Sequence, residues 1–346
     1  SGIISEKNLA AREEIVKEGL DALTLMFRGV TKICSATGFS FGWRGKGTPD
    51  VFQDSTAKTH VALDGTIYNS NDFGPFTCCA SLISNLYLKH GINKMLNMLN
   101  GDFSFILYNE NTKELFLATD RSGSKPMHYL EQEDVFAFAS LPYSLFKVPG
   151  FRAEPNPSFI ARFAGLHYRY IDNILDESPI KRIKRLPPRS FLRWNKGEIK
   201  IEKYWEIKPN EIYYTLKDPD LADYYRELII NSVKIRIEKF QNPVFTLSGG
   251  MDSSSILSSA VKIKAEKQRA VSTVYNDKTY DESEDIKTIL SHAVSDWIVI
   301  NENNPDWLAD VSEMVEINNE PVATATWLPH FNLCKKLNGY HFDSVF

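Results

Sequence analysis

Cysteine is scarce in this sequence, and its spacing excludes several kinds of site. The four cysteines are Cys34, Cys78, Cys79 and Cys334, and no two of them have the CxxC spacing of zinc or redox sites. Because the adjacent Cys78 and Cys79 cannot easily bridge each other, we expect buried free thiols. Free thiols are typical of a reducing compartment, which favours a cytoplasmic location.

Long apolar runs, metal-type histidine spacing and an excess of charge are also lacking. No stretch approaches the ~18 apolar residues of a membrane span, and the start SGIISEKN has no apolar signal-peptide core. The 7 histidines are scattered, with no HExxH pair. The 40 basic and 44 acidic residues nearly balance, which excludes a strongly basic surface. We therefore expect neither nucleic acid nor a membrane among the partners.

The length and the pattern along the chain predict two domains. A chain of 346 residues with 43% hydrophobic content is ordinary for two globular domains. Strands and turns dominate the first part, whereas helices and strands alternate after about residue 208. We place the domains at 1–210 and 211–346. The alternation predicts a parallel sheet in the second domain, with ligands at the carboxyl ends of its strands.

Three local signals give more specific expectations. THVALDGTIYN (59–69) alternates around Asp64-Gly65, which predicts a β-hairpin that turns at this dipeptide. Helical spacing predicts one helix from about Thr77 to Met98. The polar segment from Pro209 to Pro219 predicts a linker.

The sharpest signal is the segment SGGMDSS at 248–254, which follows a buried strand and opens a helix. Glycines let the backbone approach an anion, and the N–H groups at the start of a helix attract negative charge. Serine hydroxyls donate to phosphate oxygens, and Asp252 beside phosphate implies an intervening Mg²⁺. An ordinary turn with a serine N-cap is the alternative. The double glycine, three serines and aspartate favour a phosphate loop.

These residues resemble the SGGxDSS loop of the asparagine synthetase family, which binds ATP and releases pyrophosphate while forming an acyl-adenylate. Further segments resemble that family in the same order along the chain. They are LDGTIYN (63–69), LNGDFSFILYN (99–109), ATDRSGSKPMHY (118–129), IKRLPPRSFLRW (183–194), KYWEIKP (203–209) and TYDESE (279–284). The chain is thus identified as a member of the asparagine synthetase family over nearly its whole length.

The resemblance implies a fold, two cofactors and a set of binding residues. The expected fold is an α+β Ntn-hydrolase αββα sandwich followed by an α/β adenine nucleotide α-hydrolase-like domain with a parallel sheet. ATP and Mg²⁺ are implied, with Asp252 on the metal. The implied ATP-binding residues are Leu247, Ser248, Gly249, Gly250, Asp252, Ser253, Ser254 and Val274. Leu247 and Val274 would flank adenine through their backbones, and core packing is the open alternative. Asp281 and Glu282 are interpreted first as helix-dipole partners and second as a support near the nucleotide.

Departures from the family pattern predict an inactive glutaminase domain. Glutamine-dependent members use an N-terminal cysteine whose own amino group is the base, and Ser1 stands at that position. The family's Asn-Gly-Glu triplet reads Asp64-Gly65-Thr66, and its acidic residue for the glutamine ammonium aligns near Cys79. Neither Thr66 nor Cys79 carries a carboxylate for that ammonium. The resemblance is to the β-lactam synthetase and lasso-peptide cyclase branches, in which the glutaminase domain is a structural relic and a substrate amine replaces ammonia.

The expected activity is ligation of a carboxylate, activated as an acyl-adenylate, to an amine, with small molecules or peptides as substrates. Two alternatives stay open: a glutamine-dependent asparagine synthetase with Ser1 as the replaced nucleophile, and a non-catalytic pseudoenzyme or interaction subunit. In the family an SGxGxDE loop and a helical portion follow the last strand, but this sequence stops at Phe346. Three explanations of this stop remain open: the chain is a fragment, a second polypeptide completes the domain, or the enzyme is inactive. A homodimer is also open. Arg44 is interpreted as a surface residue.

Overall fold

The computed structural model describes residues 1–5, 9–23, 29–132, 135–165, 173–279, 281–302 and 306–346. Tyr280, part of the segment 279–284 that carried the resemblance, lies outside the described residues. The chain forms two compact units. The first comprises Ser1–Ile207 with Val315–Ala323, and the second comprises Lys208–Met314 with Thr324–Phe346.

The first unit contains two antiparallel sheets of six strands each, in the orders β10-β8-β9-β1-β3-β2 and β12-β11-β7-β6-β5-β4. The strands are β1 (Gly2–Ser5), β2 (Val30–Ala36), β3 (Phe39–Gly45), β4 (Val51–Asp54), β5 (Thr59–Ile67), β6 (Gly101–Asn109), β7 (Glu114–Thr119), β8 (His128–Gln132), β9 (Val135–Ala139), β10 (Lys184–Arg185), β11 (Ser190–Asn195) and β12 (Glu198–Lys203). The helices are α1 (Leu9–Asp21), α2 (Cys79–His90), α3 (Ile92–Met98) and α4 (Pro157–Gly165).

Apolar side chains on both faces of the sheets produce four layers. In β6, Phe105 and Leu107 belong to the core shared with α2 and α3, whereas Ile106 and Tyr108 belong to the core between the two sheets. Successive side chains of a strand point to opposite faces, so one strand serves both cores. On the outer face of the other sheet, Val16 of α1 packs in a third core. The predicted αββα sandwich is confirmed.

The hairpin predicted at Asp64-Gly65 is wrong. Residues Thr59–Ile67 form one strand, which pairs with β6 from Thr59 opposite Asn109 to Ile67 opposite Gly101. Gly65 has φ 124°, and a Cβ atom there would lie 2.0 Å from the carbonyl oxygen of Asp102. The glycine is therefore required by a close approach of two backbones inside a sheet, rather than by a turn.

Two helix boundaries also differ from the predictions. The helix predicted over 77–98 is interrupted at Gly91, which has φ 74° and donates its N–H to the carbonyl of Tyr87. A residue with positive φ ends a helix, so α2 and α3 are separate. Pro219 does not close a linker but lies in the first turn of a helix over Asp218–Ile237. The proline needs no N–H there, and its fixed φ suits that turn.

The second unit contains a sheet of four strands in the order β15-β14-β13-β16, and all its pairs are parallel. Its elements are α5 (Asp218–Ile237), β13 (Pro243–Thr246), α6 (Met251–Lys264), β14 (Gln268–Val274), α7 (Ser283–Ala293), β15 (Val294–Asn301), α8 (Trp307–Asn318, which ends within the first unit), α9 (Trp327–Leu337) and β16 (Ser344–Val345). Phe245 packs with Ile237 of α5 and Leu257 of α6, whereas Val244 packs with Leu333 of α9. Helices cover both faces, so the predicted α/β fold with a parallel sheet is confirmed.

Two remaining expectations concern membranes and thiols. None of the helices in the described parts of the chain is long and apolar enough to cross a membrane. All four cysteines are free; Cys34 is buried, Cys78 and Cys79 are half-buried, and Cys334 is exposed. Burial raises the pKa of the Cys34 thiol. The expectation of buried thiols is therefore right for Cys34 and wrong for Cys334.

Candidate functional site

The segment 248–254 follows the carboxyl end of β13, which is an inner strand of the parallel sheet. Leu247 still pairs with the neighbouring strand, since its N–H donates to the carbonyl of Val271 over 2.9 Å. Gly249 and Gly250 then lead directly into α6, which begins at Met251. This is the strand, loop and helix order that the sequence predicts. Ligands of open parallel sheets bind at this edge.

The serines of the loop lie close together and shape it. The hydroxyls of Ser248 and Ser253 are 2.9 Å apart, and the N–H of Ser248 donates to Ser253 Oγ over 3.1 Å. Gly250 donates its N–H to Ser248 Oγ over 3.2 Å, and Ser254 Oγ donates to the carbonyl of Gly250 over 2.7 Å. Of the hydroxyls predicted to contact phosphate, those of Ser248 and Ser253 are thus hydrogen-bonded to each other and that of Ser254 to the backbone of the loop.

Asp252 lies in the first turn of α6 with its side chain exposed. The described residues contain no group of three or more His, Cys, Asp or Glu side chains that could hold a metal by themselves. Mg²⁺ is commonly held by one or two carboxylates together with substrate phosphates. A single exposed carboxylate at Asp252 therefore fits a magnesium ion that arrives with a nucleotide.

The two residues expected beside adenine are already hydrogen-bonded within the sheet. Leu247 is buried, and its carbonyl accepts a hydrogen bond from Ser272 Oγ over 2.6 Å. The carbonyl of Val274, which is half-buried, accepts from the N–H of Glu302 over 3.1 Å. Their contact with adenine stays a prediction.

The acidic start of α7 reaches the loop. Glu282 Oε2 accepts the N–H of Gly249 over 2.8 Å. Asp281 instead accepts from Ser283 Oγ over 2.6 Å, and this hydrogen bond lowers the pKa of its carboxyl group. The structure therefore separates two residues that the sequence interpreted together. The sequence could have predicted the contact of Glu282 with the loop, because the two segments follow the neighbouring parallel strands β13 and β14, whose carboxyl ends lie at one edge of the sheet.

A second candidate centre surrounds Ser1. Its amino group donates to the carbonyl of Gly42 over 3.0 Å, and its Oγ is buried without a hydrogen-bond partner among the described residues. A cavity of about 50 Å³ adjoins it. The cavity is lined by Ser1, Phe41, Gly42, Trp43, Ala62, Leu63, Asp64, Ile106, Met127, Phe138, Ala139 and Ser140. A volume of this size admits only a few water molecules.

Two family models match the chain. The glutamine amidotransferase domain matches residues 76–205, and asparagine synthase matches residues 224–346. The chain belongs to the asparagine synthetase family.

Curated relatives match shorter segments. Asparagine synthetase [glutamine-hydrolyzing] 3 of Bacillus subtilis is 30% identical over 159 residues, which are 46% of this chain and 25% of that protein. Amidase chry2 of Gibberella zeae is 24% identical over 220 residues, 59% of this chain and 31% of that protein. The match thus spans less than a third of either relative. A solved glutamine phosphoribosylpyrophosphate amidotransferase from B. subtilis is 13% identical, with a TM-score of 0.44, over 99% of this chain and 89% of that one.

The structure disperses the residues at which this chain departs from the asparagine synthetase family pattern. Asp64 lines the Ser1 cavity, and its carboxylate lies 3.6 Å from Lys125 Nζ. Thr66 and Cys79 are not among the lining residues. An ionised aspartate only accepts hydrogen bonds, so Asp64 lacks the amide donors of the asparagine that the family has there.

The sequence did not reveal that Asp50 contacts the start of α2, which includes Cys79. Its carboxylate accepts the N–H of Ala80 over 2.7 Å and also bonds Cys78 and the backbone of Cys79, at the start of α2. Burial raises the pKa of Asp50, and these hydrogen bonds partly oppose the rise. Asp50 thus adds an acceptor from 30 residues away to the local capping box of Cys78 and Ser81, and no local pattern predicts this acceptor.

Arg44 is mostly buried, which corrects its interpretation as a surface residue. Its side chain is 11% exposed, and Nη1 lies 3.1 Å from Asp21 Oδ1 and 3.3 Å from the carbonyl oxygen of Leu20. It does not line the Ser1 cavity. In this member of the asparagine synthetase family the arginine secures the end of α1.

The Ser1 amino group predicts a pH effect in a chain that begins at Ser1. Burial lowers the pKa of this amine from 8.0 to about 6, although Asp64 partly opposes the shift. Between these values the unfolded chain holds the proton and the folded chain does not, so stability rises with pH from about 6 to 8. We expect a gain of up to about 2 kcal/mol in unfolding free energy. Denaturant titrations of the free and N-acetylated chains measure it, and equal pH slopes for both would contradict it.

Proposed function

We propose that this chain contains the activating part of an ATP- and Mg²⁺-dependent amide-bond-forming ligase. A substrate carboxylate attacks the α-phosphorus of ATP, which forms an acyl-adenylate and releases pyrophosphate. An amine then attacks the acyl carbon, which forms the amide and releases AMP. The observation that carries the proposal is the loop 248–254 at the carboxyl edge of the parallel sheet, in which the side chain of Asp252 is exposed.

The loop residues have complementary tasks in this reaction. The backbone N–H groups at the start of α6 stabilise the negative charge that grows on the leaving pyrophosphate. Ser248, Ser253 and Ser254 exchange their internal hydrogen bonds for bonds to phosphate oxygens. Asp252 would hold Mg²⁺, which when bound would neutralise phosphate charge and orient the groups.

The acceptor in this proposal is a substrate amine rather than ammonia from glutamine. Two features around Ser1 support it. The residues that line the cavity beside Ser1 include no basic side chain that could hold the α-carboxylate of glutamine. Asp64 brings a carboxylate to this cavity, where cleavage of an amide would develop an oxyanion that needs donors. The inactive glutaminase domain leaves the amine to be supplied by a substrate.

ATP–pyrophosphate exchange in the full-length protein tests the ligase proposal. We expect label from pyrophosphate to enter ATP in the presence of a suitable acid and Mg²⁺, and to remain in pyrophosphate without the acid. A panel of amino acids, peptides and other carboxylates identifies the acid. A folded full-length protein that exchanges with no member of the panel would favour the non-catalytic pseudoenzyme.

Restoring the family nucleophile tests the inactive-glutaminase proposal. We expect Ser1→Cys to release no more glutamate from glutamine than the parent chain, because the cavity and Asp64 are unchanged. A coupled glutamate assay measures the release, with the exchange activity of the same preparation as the control for folding. Glutamate release by the variant would instead support a glutamine-dependent asparagine synthetase.

A further inference from the structure

The backbone amides of Ser248, Gly249 and Gly250 each have a protein acceptor. Ser248 and Gly250 donate to serine hydroxyls of the loop itself, over 3.1 and 3.2 Å. Gly249 differs, because its N–H donates over 2.8 Å to a carboxylate oxygen of Glu282, a residue 33 positions away. An anion from another element of the fold thus occupies one donor of the candidate phosphate loop.

Packing of the backbone holds this contact in place. A Cβ atom added to Gly249 would lie 2.8 Å from Asp285 Cβ and 3.4 Å from Glu282 Cβ. Glu282 immediately precedes α7, and Asp285 lies in the first turn of that helix. The start of α7 therefore lies directly against Gly249, and the glycine is what permits this approach.

The contact sets a condition on any anion that enters the loop. One N–H cannot serve both the Glu282 carboxylate and a phosphate oxygen at full strength, and hydrogen bonds to ionised acceptors are the stronger ones. A bare polyphosphate must displace Glu282 and then stay close to its negative charge and that of Asp285. A nucleotide that carries Mg²⁺ brings the compensating charge with it.

We propose that Glu282 is a specificity-determining residue, whose carboxylate closes the loop at Gly249 and makes it select magnesium-complexed nucleotide over free nucleotide. The inference rests on the proposed nucleotide site. It adds a residue that discriminates between two forms of the same ligand. Glu282 acts by competing for a backbone donor.

Binding of ATP to the variant Glu282→Gln tests the selection. Glutamine can keep a hydrogen bond to Gly249 without the negative charge. We expect ATP in EDTA to bind at least about fivefold more tightly than to the parent chain, since loss of the charge weakens the competing hydrogen bond by about 1 kcal/mol. We expect the affinity for ATP with excess Mg²⁺ to change less than about twofold. Isothermal titration calorimetry measures both.

Glu284→Gln is the matched control. Glu284 lies two residues further on, in the first turn of α7, and is exposed like Glu282, but its carboxylate pairs with Lys287 over 2.7 Å rather than with the loop. This variant removes the same charge and should change neither affinity. If it tightens binding of free ATP as much as Glu282→Gln does, general charge accounts for the effect and the proposal is overturned.

Hydrogen exchange tests the contact without any nucleotide. Glu282→Ala should speed exchange of the Gly249 amide by about fivefold, whereas Glu284→Gln should leave it unchanged. Unchanged exchange in Glu282→Ala overturns the proposal whatever the nucleotide does. Weaker binding of Mg·ATP by Glu282→Gln also overturns it, because Glu282 would then assist the nucleotide. Faster exchange in a protein that binds no ATP overturns the nucleotide site and the selection built on it, but leaves the contact established.

Discussion

Replacing Asp252 with alanine is expected to lower ATP–pyrophosphate exchange at least about 100-fold. The carboxylate is the acidic side chain of the loop 248–254 itself, and it lies in the first turn of α6, two residues after Gly250. Without it, Mg²⁺ loses its protein ligand at the phosphates, and the charge on the leaving pyrophosphate is less compensated. The exchange assay at saturating ATP, followed by a Mg²⁺ titration, measures the loss.

The fold should survive this change, because the Asp252 side chain is exposed. We expect the circular dichroism spectrum and the midpoint of unfolding to match those of the parent chain. Glu266→Ala is the control, since Glu266 is an exposed carboxylate just beyond the opposite end of α6. Exchange that stays within about twofold of the parent in Asp252→Ala would refute the metal role of Asp252.

Gly65→Ala is expected to destabilise the first unit by about 3 kcal/mol or more. The new Cβ would be 2.0 Å from the carbonyl oxygen of Asp102, and the residue would keep φ 124°, which side chains rarely adopt. Relief requires β5 and β6 to separate in the middle of their pairing. The unfolding free energy of the N-terminal unit, from denaturant titration, measures the effect.

Gly38→Ala separates backbone strain from the steric conflict. Gly38 also has a positive φ of 74°, but within the described part of the chain no atom lies within 4 Å of the Cβ position. We expect it to cost about 1 kcal/mol, from backbone strain alone. Equal losses for the two variants would show that the approach of Asp102 costs nothing, contrary to the expectation.

Two glycine-containing segments, the loop at 248–254 and the dipeptide Asp64-Gly65, explain how far the sequence could predict the structure. The loop at 248–254 was predictable because its requirements are local: a buried strand, two glycines and a helix that begins immediately. Asp64-Gly65 misled because a dipeptide that suits a two-residue turn also suits a close approach between strands. The deciding atom, the carbonyl oxygen of Asp102, is far away in the sequence.

Contacts between distant segments were the other missing part. Helix α2 has a local capping box of Cys78 and Ser81, but the distant Asp50 also accepts from its first turn, and Gly249 is bonded by Glu282. Neither pair has a spacing that marks it. The second was within reach of a topological argument, because both residues follow strands of one parallel sheet, whereas the first depends on how β4 lies beside α2.

The Ser272 hydroxyl joins three adjacent strands just below the loop. It donates to the carbonyl of Leu247 over 2.6 Å and accepts from Trp297 Nε1 over 2.9 Å. Because Leu247 immediately precedes the loop and Trp297 lies on β15, fraying of that strand removes a restraint at the base of the loop. The order of the loop 248–254 is therefore coupled, through Ser272, to a tryptophan that lies two strands away from it.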